Sequence, residues 1–274
     1  MADNYLITGY WGEPHVTAEN DRGINAAMFG TGRFVLPVGE QFRAEYIGNN
    51  TIRMYDGKLM DNGAAAGIPA GEYVDLLISN AGQGKKRNDL IVFQYEQDAS
   101  TLIESGKFIV IQGTETSGTA SDPALTQEDL LSGNAALDQM ALWRVAVSGT
   151  TISTPTRVTE VEWANPPMVA GVEYRTTKRH DGKPVYTKLV NYGKLSISSV
   201  SIGTKNVISM NGVSTFIDGS GTVYHDTFPI HNSNGFDVLA MAFTGNGSLF
   251  VKTNAGYPAT QNYTAEFVIE YVKD

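Results

Sequence analysis

The run Thr264-Ala265-Glu266-Phe267-Val268-Ile269-Glu270-Tyr271-Val272 decides the fold class. Ala265, Phe267, Ile269 and Tyr271 alternate with Thr264, Glu266, Val268 and Glu270, a period of two that gives a strand one buried face and one wetter face. Working back from this strand, apolar segments at 185–190, 195–202, 206–210, 215–217, 222–224, 238–243 and 248–253 recur about every ten residues. Turn pairs separate them: Asn211-Gly212, Asp218-Gly219 and Asn246-Gly247. Roughly eight short strands in so little chain predict a compact antiparallel β-sandwich, jelly-roll-like, over residues 186–274.

The first half is also read as β-rich, with one or two short helices. Glu19-Asn20-Asp21 supply cap and first-turn acids, Ile24, Ala27 and Met28 have helical spacing, and Gly30 ends the helix. Strands are expected at 34–38, 45–48 and 51–55, the last two flanking Asn49-Asn50, a pair that tolerates positive φ. Asp56-Gly57 and Asn62-Gly63 read as further turns. Strands follow at 72–79, 89–95, 107–112 and 140–147, with connections too short and glycine-rich for crossover helices. A second short helix is expected at 125–131, with Thr126 as N-cap, Asp129 three positions on and Gly133 closing it. Residues 151–185 hold Thr154-Pro155, Asn165-Pro166-Pro167 and the basic group Arg175, Lys178, Arg179, His180 and Lys183. Proline removes a donor and fixes φ, so this stretch reads as a connector between domains at 1–150 and 186–274.

Composition narrows the function. The 274 residues are 42% hydrophobic and 18% charged, with 29 glycines and no cysteine. A charged share below the usual value of about 25%, with scarce helix formers, disfavours a helical bundle and a disordered chain alike. Without cysteine there is no disulfide scaffold, thiolate zinc site or thiol nucleophile. No early apolar run has signal-peptide length, so no cleaved leader is expected, and no stretch has the length to span a membrane as a helix. The net charge of −9 is uneven: residues 1–160 carry 11 Lys/Arg against 20 Asp/Glu, and residues 161–274 carry 9 of each. Nucleic acid, which demands a basic face, is disfavoured as a partner.

The chemical motifs are sparse. Gly82-Gln83-Gly84-Lys85-Lys86 lacks the earlier glycine and the following Ser or Thr of a phosphate loop and reads as an exposed turn. Glu13, His15, Glu19 and Asp21 gather potential metal ligands, but acids before a helix are explained by capping and the dipole, so no metal is expected. His225-Asp226 and His231, near Ser220 and Ser233, lack a nucleophile elbow. A glycosidase needs two carboxylates across a cleft, and no pair among the acids is marked out. The chain is therefore read as non-enzymatic and without a cofactor. The better lead is aromatic: Tyr224, Phe236 and Tyr257 sit near Asn232, Asn234, Asn254 and Asn262, the flat faces and short amides that sugar recognition combines. The candidate ligand-binding set is Tyr224, Asp226, Asn232 and Tyr257, set against the plainer reading that the rings close the ends of a core.

Several runs carry a resemblance. Val16-Thr17-Ala18-Glu19-Asn20-Asp21-Arg22-Gly23-Ile24-Asn25-Ala26-Ala27-Met28-Phe29-Gly30 resembles the opening of tail-tip and baseplate proteins of phages and prophages of Gram-positive bacteria. The likeness continues at Asn49-Asn50-Thr51-Ile52-Arg53, at Asp56-Gly57-Lys58-Leu59-Met60, at residues 82–92 and at Gly118-Thr119-Ala120-Ser121-Asp122-Pro123. Asp181-Gly182-Lys183-Pro184-Val185-Tyr186-Thr187-Lys188 looks like the segment that opens the C-terminal domain of many such fibres, and residues 263–271 resemble their closing strand. Residues 190–260 match no known run, as expected where host range varies.

The resemblance implies a homotrimeric tail or baseplate appendage, assembled in the bacterial cytoplasm and working in the virion. Its first domain would attach to other tail or baseplate proteins, and its head would bind host cell-wall polysaccharide or teichoic acid. Trimerisation would cover sheet edges and multiply weak sugar contacts. The alternatives are a purely architectural baseplate scaffold and a surface-glycan depolymerase.

Overall fold

The structure is a computed structural model that describes residues 17–133, 135–195, 203–209, 213–225, 228–229, 238–243, 248–253 and 263–273. The chain divides into two compact units, Met1–Glu162 and Trp163–Asp274, and is mostly β, as the alternation predicts.

The first unit opens with α1 (Ala18–Phe29). Its N-cap is Thr17, whose hydroxyl accepts from the Asn20 N–H at 3.2 Å, so Glu19 and Asp21 serve as first-turn acids and not as the cap. Gly30, at φ 87°, ends it and donates to Ala26 O at 2.9 Å. Arg22 is the buried residue of the helix; its Nη1 meets Glu104 at 2.8 Å.

Four strands make the first sheet: β1 (Arg33–Val35), β2 (Ala44–Gly48), β3 (Thr51–Asp61) and β4 (Ala64–Leu77). β3 is central, with β4 along one side and β2 and β1 along the other. Asn49 and Asn50 both take left-handed φ, 48° and 58°, the backbone that a two-residue hairpin with matching twist requires. Asn62-Gly63 turns the chain from β3 to β4. Asp56-Gly57, expected as a turn, instead lies inside β3 at a bulge. A Cβ at Gly57 would come within 2.6 Å of Phe42 N, so the glycine serves the close passage of the 36–43 loop.

The second sheet holds β5 (Lys86–Gln97), β6 (Glu104–Ile111), β7 (Leu137–Ser148), β8 (Thr151–Ile152) and β9 (Thr156–Arg157), in the order β6-β5-β7-β8 with β9 also on β7. The two sheets share one core. Val35, Phe42, Ile52, Met54, Leu59 and Leu76 come from the first sheet and its loop, and Ile91, Phe93, Met140, Leu142 and Val145 from the second. Leu90, Val92 and Ala141 form a smaller cluster with Ile109, Ile111 and Leu125. β5 is thus buried on both faces, which explains its unbroken apolar run.

The helix expected at 125–131 shrinks to one 3-10 turn, Leu130–Ser132, capped by Asp129. Thr126 exchanges hydrogen bonds with Gln139, and Glu128 donates its N–H to Asp138 at 2.7 Å. These groups are committed to β7, so no helix starts there.

Among the described residues, unit two has two antiparallel sheets. One runs β10 (Glu173–His180), β11 (Lys183–Leu195), β17 (Tyr263–Lys273), β13 (Val213–His225) and β14 (Phe228–Pro229); the other runs β12 (Gly203–Ser209), β16 (Ser248–Thr253) and β15 (Val238–Phe243). From β11 to β13, and again from β16 to β17, the chain alternates between sheets as jelly rolls do. Asp218-Gly219, read as a turn, lies within β13, because β17 supplies a ladder along the whole strand and only bulges interrupt it. Of the strand expected at 195–202, residues 196–202 lie outside the described residues. The stretch read as a connector is divided: β8 and β9 join the first unit, and residues 163–185 fold with the second. Trp163 packs edge-on against Tyr174 at 5.4 Å and exchanges backbone hydrogen bonds with Arg175 and Thr177.

Candidate functional site

An exposed surface of unit one with interlocked charged and aromatic side chains is the outer face of β2, β3 and β4. The pleat of β3 turns Ile52 and Met54 into the core and leaves Thr51, Arg53 and Tyr55 on the other face. Register then lines up rows across the sheet. Arg53 stands between Glu45 of β2 and Asp75 of β4, Tyr55 faces Tyr73, and Thr51 faces Leu77. Arg43 joins the Tyr55 row because the Tyr55 N–H donates to Arg43 O at 2.9 Å.

Arg53 grips Asp75 with two parallel bonds, Nε to Oδ1 at 2.8 Å and Nη2 to Oδ2 at 2.9 Å, while its guanidinium lies 3.7 Å from the Tyr73 ring centroid. Arg43 repeats the arrangement over Tyr55 at 3.9 Å, donating to Glu40 at 2.8 Å and to Glu45 at 3.0 Å. The Tyr55 hydroxyl donates to Glu45. Tyr73 is 49% exposed and Leu77 70%. Fork-shaped guanidinium pairing and stacking on rings orient side chains that otherwise move freely.

The Tyr55 hydroxyl, then Arg43, holds the Glu45 carboxyl below its ordinary range, and Arg53 does the same for Asp75. Glu40 in turn raises the Arg43 guanidinium. Carboxylates held ionised in this way are poor proton donors near neutrality, so the face suits contact better than acid–base chemistry.

Of the sugar-binding candidates, Tyr224 lies near the end of β13, opposite Thr264 of β17 and Pro229 of β14. Asp226, Asn232 and Tyr257 lie outside the described residues, as do Phe236, Asn234, Asn254 and Asn262. Glu13 and His15 also lie outside them, and Glu19 and Asp21 sit in the first turn of α1. Among the described residues no group of three or more His, Asp or Glu is placed to hold a metal ion. Residues 82–85 form the exposed turn expected there, and Lys86 opens β5.

No protein-family model and no curated protein matches the chain. Among solved structures, it is similar to the P. aeruginosa R1 pyocin fibre comprising C-terminal residues 323–701, at 9% identity and a TM-score of 0.21, with 83% of this chain and 82% of that chain covered. A likeness at that level carries no weight for fold or function.

Reading the sequence for chemistry missed the β2-β3-β4 face. Its signal is the spacing Arg43-x-Glu45 and Arg53-x-Tyr55 against Tyr73-x-Asp75, charged and aromatic residues two apart on strands. Such a pattern becomes a surface only once register is known.

Proposed function

We propose that this chain is a non-enzymatic structural appendage of a phage-tail-type particle, with a first unit that attaches to neighbouring tail or baseplate proteins and a second that forms a trimeric, saccharide-binding head. The observation that carries the reading is a register. The two runs behind the C-terminal resemblance, residues 181–188 and 263–271, are about eighty residues apart in the chain yet pair side by side as β11 and β17, with Tyr186 opposite Tyr271. Their rings stack at 6.1 Å, and the buried Tyr271 hydroxyl donates to Glu173 of β10. Burial, then Glu173, raises the Tyr271 phenol, so it stays a donor. Segments that read as one family signature thus form one hydrogen-bonded unit.

For attachment, the β2-β3-β4 face supplies oriented aromatic and guanidinium groups, the residue types that anchor protein interfaces. The partners proposed are other tail or baseplate proteins there, and host cell-wall polysaccharide or teichoic acid at the head, in the virion. Binding of the full-length protein to purified cell-wall glycans tests the head. We expect retention that Tyr224→Ala and Asp226→Ala each weaken. Absence of binding by a correctly assembled oligomer would favour the architectural scaffold, and turnover of the glycan would favour the depolymerase.

A further inference from the structure

A second feature of unit one is buried where its two sheets meet. Asp61 closes β3 and Asp138 lies near the start of β7, and both are 0% exposed. One cation serves them. Arg33 Nη2 donates to Asp138 Oδ1 at 2.7 Å, and Arg33 Nε lies 3.0 Å from Asp61 Oδ1 without a directed hydrogen bond. Asp138 Oδ1 also accepts the Glu128 N–H, and the neutral Asn62 amide makes a long contact of 3.4 Å to Asp61 Oδ1. Both carboxyl groups are thus held against the one Arg33 guanidinium, and Asp61 Oδ2 and Asp138 Oδ2 are buried with no donor.

The neighbouring charges are turned elsewhere. The Glu128 carboxylate accepts from the Ala136 and Leu137 N–H groups, Arg22 pairs with Glu104, and the Glu19 carboxyl of α1 lies beside Gly133. Two fully buried carboxylates against one guanidinium leave a negative charge uncompensated away from solvent. A single proton cancels that charge, and it converts one orphaned acceptor into a donor for the other. A metal ion fits less well, because Arg33 already stands against both carboxyl groups.

We infer that Asp61 and Asp138 form a proton-binding site in which one proton, shared between the two carboxyl groups, bridges them and clasps the two sheets of the first unit. Burial, then the contact with Asp138, pushes the Asp61 carboxyl up to about 8, with Arg33 opposing. The sign follows from linkage. An unfolded Asp titrates near 3.9, so between about 4 and about 8 the folded state holds a proton that the unfolded state has lost. The clasp contributes fully below that window and its contribution is lost as pH rises through it.

Thermal unfolding of the full-length protein and of Asp61→Asn, from about pH 5 to about pH 9, tests the inference. Asparagine stays neutral at every pH, so the expected result is a variant whose Tm gains steadily on the wild type as pH rises. Curves that run parallel across the range would overturn it. Should the variant fail to fold, the wild-type aspartate carboxyl carbons can be titrated by NMR. One resonance with a midpoint above about 6 supports the site, and all midpoints below about 5 contradict it.

Discussion

Arg87 and Asp89 sit two residues apart on β5, on one face of the strand, and both are buried. Arg87 donates twice to Asp89, at 2.8 and 3.1 Å, and also to Ser79 O, Asn80 O and Glu115, while Asp89 accepts the Gly113 N–H at 3.0 Å. A buried pair with so many partners is tolerated, but half of one is not. Arg87→Ala should therefore cost about 3–5 kcal/mol, read as a lower urea midpoint, because it strands the Asp89 carboxylate without its cation. Sequence alone hides this role. Lys85-Lys86-Arg87 reads as a surface cluster, and only the alternation of β5, with Lys86 exposed and Arg87 buried, separates its members. Asp61 and Asp138, more than seventy residues apart in the chain, carry no local signal at all.

At the scale of elements, turn chemistry was legible where it closes a hairpin and misleading where it marks a bulge. Asn49-Asn50 and Asn62-Gly63 turn the chain as their residue types predict, whereas Asp56-Gly57 and Asp218-Gly219 lie inside long strands. Asn49, Asn50, Asn62 and Gly63 take left-handed φ, whereas Gly57 is required by the close passage of Phe42, and the choice between turn and bulge falls to whether a neighbouring strand continues the ladder. Gly63 is the sharper test of this account. It takes φ 85°, and a Cβ there would meet Arg22 O at 2.1 Å. Gly63→Ala should destabilise the first unit by roughly 2–4 kcal/mol, from left-handed strain plus the clash with α1. Hydrogen exchange should show the α1 amides losing protection first, since the clash falls on that helix. The milder case is Asn50→Gly, which keeps the turn geometry, loses only the exposed hydrogen bond to Asn80 and should lower the unfolding free energy by no more than about 1 kcal/mol.

For the molecule as a whole, the alternation of residues 264–272 correctly announced an all-β chain, and Ile269 and Tyr271 are fully buried as that pattern requires. The charge arithmetic also acquires a physical place. The excess of acids over bases belongs to residues 1–160, which carry the β2-β3-β4 face where Glu40, Glu45 and Asp75 are paired with arginines. Of the candidate head site, Tyr224 stands near the end of β13, and Asp226, Asn232 and Tyr257 lie outside the described residues. A double variant, Arg53→Ala with Tyr73→Ala, should cost the fold only about 1–2 kcal/mol, because both side chains are partly exposed, and should leave the oligomeric state unchanged. It should weaken incorporation into particles by about tenfold or more, as loss of interface anchors does. Counting appendages on purified particles checks this.

The trimer is the claim on which attachment, covered sheet edges and avidity all depend. It is tested most directly by light scattering of the full-length protein at micromolar concentration. A trimer scatters as a stable species of close to three times the 29.6 kDa chain mass; a stable monomer would refute it.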